Sequence, residues 1–278
     1  MTTGKSIKQA KSLLYEIFAV IVGAIIILPI FYCFFISFMP SDEILSILPR
    51  FIPSHWVTEN YLMAWQYTTM PRFMFNSLVI AIVSSITRVL TAALAAYAFA
   101  FFNFKGKNFT FMAFMGTIMI PADIVLVTNY QTASNLHLIN TYLGMMVIFL
   151  VNANNIFMMR QYFLSFSKEL KEASEVDGCS NILFFVKILL PLSTPVISTI
   201  FISSFIGVWN QYLWPMLVTN NNLMRTVQVG VTMLNFPEGS TYGPVMAASM
   251  IVLLPTLLIF IIFRKKIVDG IMGGAVKG

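Results

Sequence analysis

Glu169, Glu172 and Glu175 recur at intervals of three in SKELKEASEVDGCSNILFFVKILLPLSTP, residues 167–195. Carboxylates so spaced share one side of a helix, giving a charged face beside the row Leu170, Ala173 and Val176 or Asp177. Other groups able to do chemistry are sparse. Arg88 and Asp123 fall inside long apolar runs. A guanidinium there is costly unless it faces a cavity, the helix bundle or a carboxylate. Arg88 could offer a phosphate a charge-assisted fork, or pair with Asp123 from a neighbouring span. Trp209, Asn210, Gln211 and Tyr212 cluster at the end of another apolar run. Their amides and rings suit contact with a polar solute, helix-joining hydrogen bonds or interfacial anchoring.

Several familiar chemistries are excluded. Gly4–Lys5–Ser6 lacks the glycine five positions upstream that a phosphate-cradling loop requires. His55 and His137 have no companions at ligand spacing, so no metal site is expected. Cys33 and Cys179 stand far apart without a CxxC partner and are read as unpaired thiols. No connection between apolar runs is long enough for a soluble catalytic domain, so no enzymatic activity and no bound cofactor are expected in this chain.

The elements that must position these residues belong in lipid. Hydrophobic residues make up 58% of the chain, charged residues 10%, and mean hydropathy is +0.81, far from the soluble norm of roughly a quarter charged. Apolar runs at about 15–38, 74–102, 109–129, 141–160, 194–217 and 244–263 each approach the about 20 residues that cross a bilayer. The expected fold is therefore all-α: one polytopic domain over 1–278 with six transmembrane helices. The first run is too long for a cleavable signal and is expected to be retained. With the N-terminus inside, thirteen Lys and Arg fall in inner connections and three in outer ones, Arg88 being the seventeenth. That asymmetry places both termini in the cytoplasm and explains the net charge of +6 without nucleic acid. The outer segment 39–73 carries Trp56, Tyr61 and Trp65 as interfacial anchors, with a short surface helix around 58–67. The outer segment 218–243 reads as irregular loop.

In the inner stretch, Ser167 can cap a helix whose first turn carries Glu169. Gly178 supplies the left-handed residue that ends it, and Ser180 or Asn181 can cap a second helix through ILFFVKILL. Pro191 and Pro195 close that element and begin the fifth span. A small apolar knob ringed by charge on the cytoplasmic side is what a protein-docking surface requires, although a plain solvated loop has the same composition.

Residues 172–191 also resemble the signature of bacterial ABC importer permeases: E-A-A, three residues, G, nine residues, then an apolar residue, L and P. Glu172, Ala173 and Ser174 fill the first three places, Gly178 the glycine, and Ile188, Leu189 or Leu190, and Pro191 the end. Ser174 for the second alanine is the departure, and Asp177 matches the common D-G. The patterns LAAYAFAFFNFKGK at 94–107, MIP at 119–121, GVWNQYLWP at 207–215 and DGIMGGAVKG at the end extend the likeness over nearly the whole chain. They are similar to the second permease of carbohydrate importers, the maltose and glycerol-3-phosphate group, and WNQYLWP to the glycerol-3-phosphate members in particular.

The resemblance implies a subunit of the bacterial plasma membrane that forms half of a translocation pore. It implies coupling helices over about 167–190, with Glu169, Glu172, Ala173, Ser174, Asp177, Gly178 and Pro191 engaging a cytoplasmic ATPase. It further implies a second homologous permease, two ATP-binding subunits that hold ATP and magnesium, and an extracytoplasmic solute-binding protein. The solute is expected to be sn-glycerol-3-phosphate or a glycerophosphodiester, with another sugar or oligosaccharide as the alternative. A self-sufficient secondary transporter would want paired repeats or acidic relays, and the sequence offers neither beyond Asp123 and Glu16. A membrane scaffold recruiting a partner through the same loop is the other rival.

Overall fold

The computed structural model describes residues 3–46, 50–66, 69–234 and 242–275, with side chains from 13 to 263 within those ranges. Among the described residues every regular element is helical. They form two compact units, one of residues 1–70 and 231–253, the other of 71–230 and 254–278.

In the first unit, helix α1 (Thr3–Ser37) contains the apolar stretch Leu13–Ser37, and its aliphatic side chains point outward along most of its length. A turn at Ser41–Ile44 and helix α2 (Glu59–Gln66) follow, the latter where a short surface helix was expected. Asn60, fully buried, donates to the carbonyls of Ser37 (3.1 Å) and Met39 (3.0 Å), which the end of α1 leaves without helical partners. Trp56 packs on Phe34 and Phe38, and Tyr61 on Phe38. These rings therefore brace the end of α1, a role beyond interfacial anchoring.

Helix α3 (Met70–Phe101), long and apolar enough to cross a membrane, leads into the second unit, and helix α13 (Tyr242–Ala275), whose stretch Tyr242–Phe263 meets the same criterion, starts in the first unit and belongs to the second from Leu254. Between them the expected spans are broken. The run 109–129 forms helix α4 (Lys107–Thr117) and helix α5 (Leu126–Asn135), separated by turns over 118–125. Pro121 sits in that gap; its ring disfavours helical backbone at Ile120 and it has no N–H to donate. The run 141–160 forms helix α6 (Tyr142–Met146), a tight turn Val147–Phe149 and helix α7 (Ala153–Phe163), with a 50° bend. Asn152 makes the break, its side chain accepting from the Asn155 amide at 3.1 Å as an N-cap.

Before the fifth run the chain forms the two helices expected there, and the run itself is divided. Helix α8 (Lys168–Val176) precedes helix α9 (Asn181–Phe184), which continues through a π-helical turn Phe185–Leu189 and a last turn Leu190–Leu192. At Ser193 the chain bends by 75° into helix α10 (Thr194–Trp209). That helix stops at Trp209, and helix α11 (Leu213–Val218) takes up the remainder. Among the described residues three helices are long and apolar enough to cross a membrane, or up to five spans if each bent pair is one crossing. The segment 218–243, expected to be irregular loop, holds a short turn Asn222–Met224 and helix α12 (Val227–Thr232), while 235–241 lie outside the described residues.

The core of this unit is built on a small-residue face of α3. Ala92, Ala93 and Ala96 let Ile156, Met159 and Phe163 of α7, Phe184 and Leu189 of the elbow at 167–192, and Ile200 of α10 approach closely. Asn155 and Ser204, both buried, join α7 to α10 through a 3.0 Å hydrogen bond.

Candidate functional site

The elbow at 167–192 is two short helices joined by a left-handed turn. Gly178 has φ +76°, a conformation that costs an L side chain. Its amide donates to Glu175 O (3.0 Å) and that of Cys179 to Ser174 O (2.9 Å), the paired bonds of a Schellman C-cap. Ser180 then caps α9, its hydroxyl accepting from the Leu183 amide at 3.3 Å. At the other end Ser167 is the residue before α8, but its side chain makes no cap bond. Instead Glu169 turns back: its own backbone amide first, then the Ser167 hydroxyl, hold its carboxyl below the ordinary carboxylate range.

The orientation of α8 differs from the expected row. Ser174 is buried, and Leu170 and Cys179 pack against the α3 core beside it. Ala173 is exposed, and Val176 is 88% exposed. Lys171 also turns inward, its ammonium 5.5 Å from the Phe102 ring centroid and 3.3 Å from Glu175. Spacing of three and four admits both faces. Packing of Leu170 and Cys179 on the α3 core selects the inward face, and Ser174 Oγ donates to Lys171 O at 2.7 Å, which leaves the buried serine no unpaired donor. The outward face therefore carries Glu169, Glu172, Ala173 and Val176, continued on α9 by Ile182, 77% exposed.

The elbow is tied to α3 through Tyr97, whose hydroxyl donates to Asn181 O at 2.9 Å and whose ring lies 4.8 Å from that of Phe185. Beyond the π turn, Pro195 cannot donate to Pro191 O, and the Thr194 hydroxyl does so instead at 2.6 Å. The elbow and α10 form one continuous chain of helical turns with a single sharp corner at Ser193.

Arg88 has a structural partner. Its Nε donates to Phe149 O at 2.5 Å and its guanidinium lies 5.6 Å from the Phe149 ring centroid. Thr91 donates to Leu150 O at 3.2 Å one turn along. The carbonyls at the α6–α7 bend, which lose helical partners, are the acceptors. The expected pairing with Asp123 is not formed: Asp123 is exposed, in the unwound 118–125 segment.

The Trp209 to Tyr212 cluster is divided by the end of α10. Trp209 is 2% exposed and stacks on Phe205 at 5.8 Å, so it is core. Asn210 is exposed and accepts from Gln228 Nε2 of α12 at 3.3 Å; Gln211 and Tyr212 are half-buried beside it.

A polar frame holds the segment that carries Gln228. Asn76, fully buried, donates to Leu223 O (2.9 Å) and Arg225 O (2.8 Å), and accepts from the Tyr142 hydroxyl (2.6 Å). Ser77 accepts from the Val227 amide, and Asn140 Oδ1 from the amides of Asn220 and Asn221. A Cβ at Gly230 would collide with the Phe73 ring. Sequence reasoning missed Asn76, Ser77 and Asn140. The available signal was two adjacent polar residues, Asn76 and Ser77, opening an otherwise apolar run.

A family model described as "Binding-protein-dependent transport system inner membrane component" matches residues 3–266. The arabinooligosaccharides transport system permease protein AraQ of Halalkalibacterium halodurans is 32% identical over 260 residues, 92% of this chain and 93% of that one. The sn-glycerol-3-phosphate transport system permease protein UgpE of Rhizobium meliloti is also 32% identical, over 262 residues, 91% of this chain and 93% of that one. Among solved structures, a bacterial ABC transporter involved in the import of the acidic polysaccharide alginate contains a chain similar with a TM-score of 0.80 at 22% identity, over 95% of this chain and 98% of that one. That last likeness is one of fold.

Proposed function

The chain belongs to the family of binding-protein-dependent transport system inner membrane components, and from that premise we propose that it is the permease subunit of an ATP-driven carbohydrate importer. Six crossings are assigned, the unwound 118–125 segment interrupting the third, with both termini cytoplasmic. The observation that carries the reading is the outward face of the elbow: Glu169, Glu172, Ala173, Val176 and Ile182 on two helices locked by Gly178. An apolar centre ringed by carboxylates, held rigidly to a membrane bundle, suits a partner that must push and pull on it. The partner is a cytoplasmic ATPase subunit holding ATP and magnesium; hydrolysis occurs there, and this chain contributes no catalytic residue.

Movement at the docking face is transmitted through the turns 181–192 to the corner at Ser193 and so to α10. Non-helical backbone at membrane depth is tolerated where it lines a watery cavity or is buried in protein. We therefore assign Asp123, with its exposed stretch 118–125, and Asn210, Gln211 and Tyr212 to the solute path shared with a second permease. Arg88 and Trp209 are assigned to structure, Arg88 because its Nε and the face of its guanidinium meet Phe149, and Trp209 because its ring is buried against Phe205.

The solute is a carbohydrate or its phosphorylated derivative, delivered by an extracytoplasmic binding protein. Similar relatives transport arabinooligosaccharides and sn-glycerol-3-phosphate at equal identity. WNQYLWP favours sn-glycerol-3-phosphate. The test is uptake into proteoliposomes containing the complete complex, with internal ATP and external binding protein. Uptake of radiolabelled sn-glycerol-3-phosphate or an oligosaccharide that requires both is expected. Uptake by this chain alone in an ion gradient would overturn the reading.

A further inference from the structure

Where α3 ends at Phe101 and α4 begins at Lys107, a cleft of about 460 Å³ opens beside Asn103, Lys107, Asn108, Phe109 and Arg160. It is lined by two cations and two amides, and no carboxylate is among its lining residues. Lys107 Nζ donates to Phe102 O at 2.8 Å, which leaves two of its three N–H groups to spare. Arg160 is fixed by Nε to Phe99 O at 3.4 Å and by its guanidinium 4.2 Å from the Phe111 ring centroid. Its terminal nitrogens make no hydrogen bond among the described residues. Partial burial, and then the charge of Arg160, push the Lys107 amine below its ordinary value. Two like charges held together without a counter-ion are the arrangement an incoming anion relieves. The apolar surface continues from the cleft along α4, where Phe109 is 77% and Met112 64% exposed.

We propose that this cleft binds a phosphate-bearing anion, with Lys107 and Arg160 holding the phosphate oxygens and Asn103 and Asn108 its remaining acceptors. Two sources share that chemistry: the headgroup of an anionic phospholipid, whose chains would lie along Phe109 and Met112, and free phosphate. The site's lining includes none of the residues assigned to the docking face or the solute path, although Asn103 also lines the neighbouring cleft of Lys171, Glu172 and Glu175, and it does not depend on the solute's identity. It follows the general rule that basic clefts at helix ends near a membrane surface recruit anionic headgroups.

The full-length chain in neutral detergent is titrated with phosphatidylglycerol and with phosphatidylcholine, and binding is followed by native mass spectrometry. Phosphatidylglycerol is expected to bind at least about tenfold more tightly, and the preference to vanish in a K107Q/R160Q double variant while Lys187→Gln keeps it. In a second arm, inorganic phosphate is titrated by calorimetry; saturable binding that the double variant loses, without lipid preference, identifies free phosphate as the source. Because Arg160 also packs on Phe111, Asn108→Asp serves as a variant that adds a negative charge and leaves that contact intact. Its anion binding is expected to fall at least about tenfold with an unchanged melting temperature. Wild-type lipid selectivity in both variants, or no binding of either ligand to the wild-type chain, would overturn the proposal.

Discussion

The amide of Cys179 donates to the carbonyl of Ser174 across 2.9 Å, closing a turn that only the positive φ of Gly178 allows. That bond closes the turn joining α8 to α9, while packing on α3 selects which side chains face outward. Nothing lies within 4 Å of where a Gly178 Cβ would stand, so the cost of substitution is conformational, with no steric clash. Gly178→Val should strain the turn by about 1–2 kcal/mol or more. ATP-driven uptake is expected to be abolished while membrane levels stay near wild type. Gly178→Asn, tolerated better in the left-handed region, should retain part of it. Wild-type uptake by the valine variant would refute the coupling assignment.

Val176 and Ile182 are large apolar side chains with no intramolecular cover. Val176→Asp and Ile182→Asp should leave the melting temperature of the isolated chain within about 2 °C, since surface changes are nearly neutral. Each should weaken association with the ATPase subunit at least about tenfold in a pull-down titration. Ser174→Asp, which buries a charge against the α3 core, should instead lower the stability of the chain itself.

Arg88 supports the α6–α7 bend by donating to Phe149 O. Losing a charged hydrogen bond of this kind should cost about 1.5–3 kcal/mol, so Arg88→Ala is expected to lower the thermal unfolding temperature by several degrees. The exchange Arg88→Asp with Asp123→Arg should not restore it. Full recovery in that double variant would mean that the two residues pair.

Asn76→Asp keeps the acceptor for Tyr142 but removes both donors to Leu223 O and Arg225 O. The 219–230 segment should open more often, seen as faster limited proteolysis there and faster amide exchange at Val227. Tyr142→Phe removes one bond and should have a smaller effect.

Glu169 titrates below the ordinary carboxylate range because it is held by its own amide and by Ser167. A depressed carboxylate contributes stability that is present above its unfolded pKa and lost as pH falls through the folded one. The first turn of α8 should therefore persist through neutral pH and loosen only in acid. Ser167→Ala should raise the Glu169 pKa toward 4.5, readable from its carboxyl carbon shift in an NMR titration.

Much of the site was legible because its signals are local. The left-handed glycine, the serine before α9 and the two prolines each act on the backbone within a few residues, and each is found where the chain placed it. The roles of Ser167, Ala173 and Ser174 were not legible, because helical spacing offers two faces and only the surface of α3 selects one. Arg88 was visible as an anomaly, yet its acceptor is a carbonyl released by a bend in a distant element, and carbonyls carry no sequence signature. The outer frame was missed for the same reason: Asn76 and Asn140 hold backbone groups far along the chain.

By itself the sequence determined an apolar, helical, membrane-embedded chain with one charged elbow, since composition and turn chemistry are properties of residues and their near neighbours. Only the tertiary structure decided where the long apolar runs break, which face of α8 is free, and that Arg88 meets Phe149 while Trp209 is buried against Phe205. Those outcomes depend on which backbone groups lose their helical partners and which side chains come within reach of them, and that is settled by packing between segments that lie far apart in the chain.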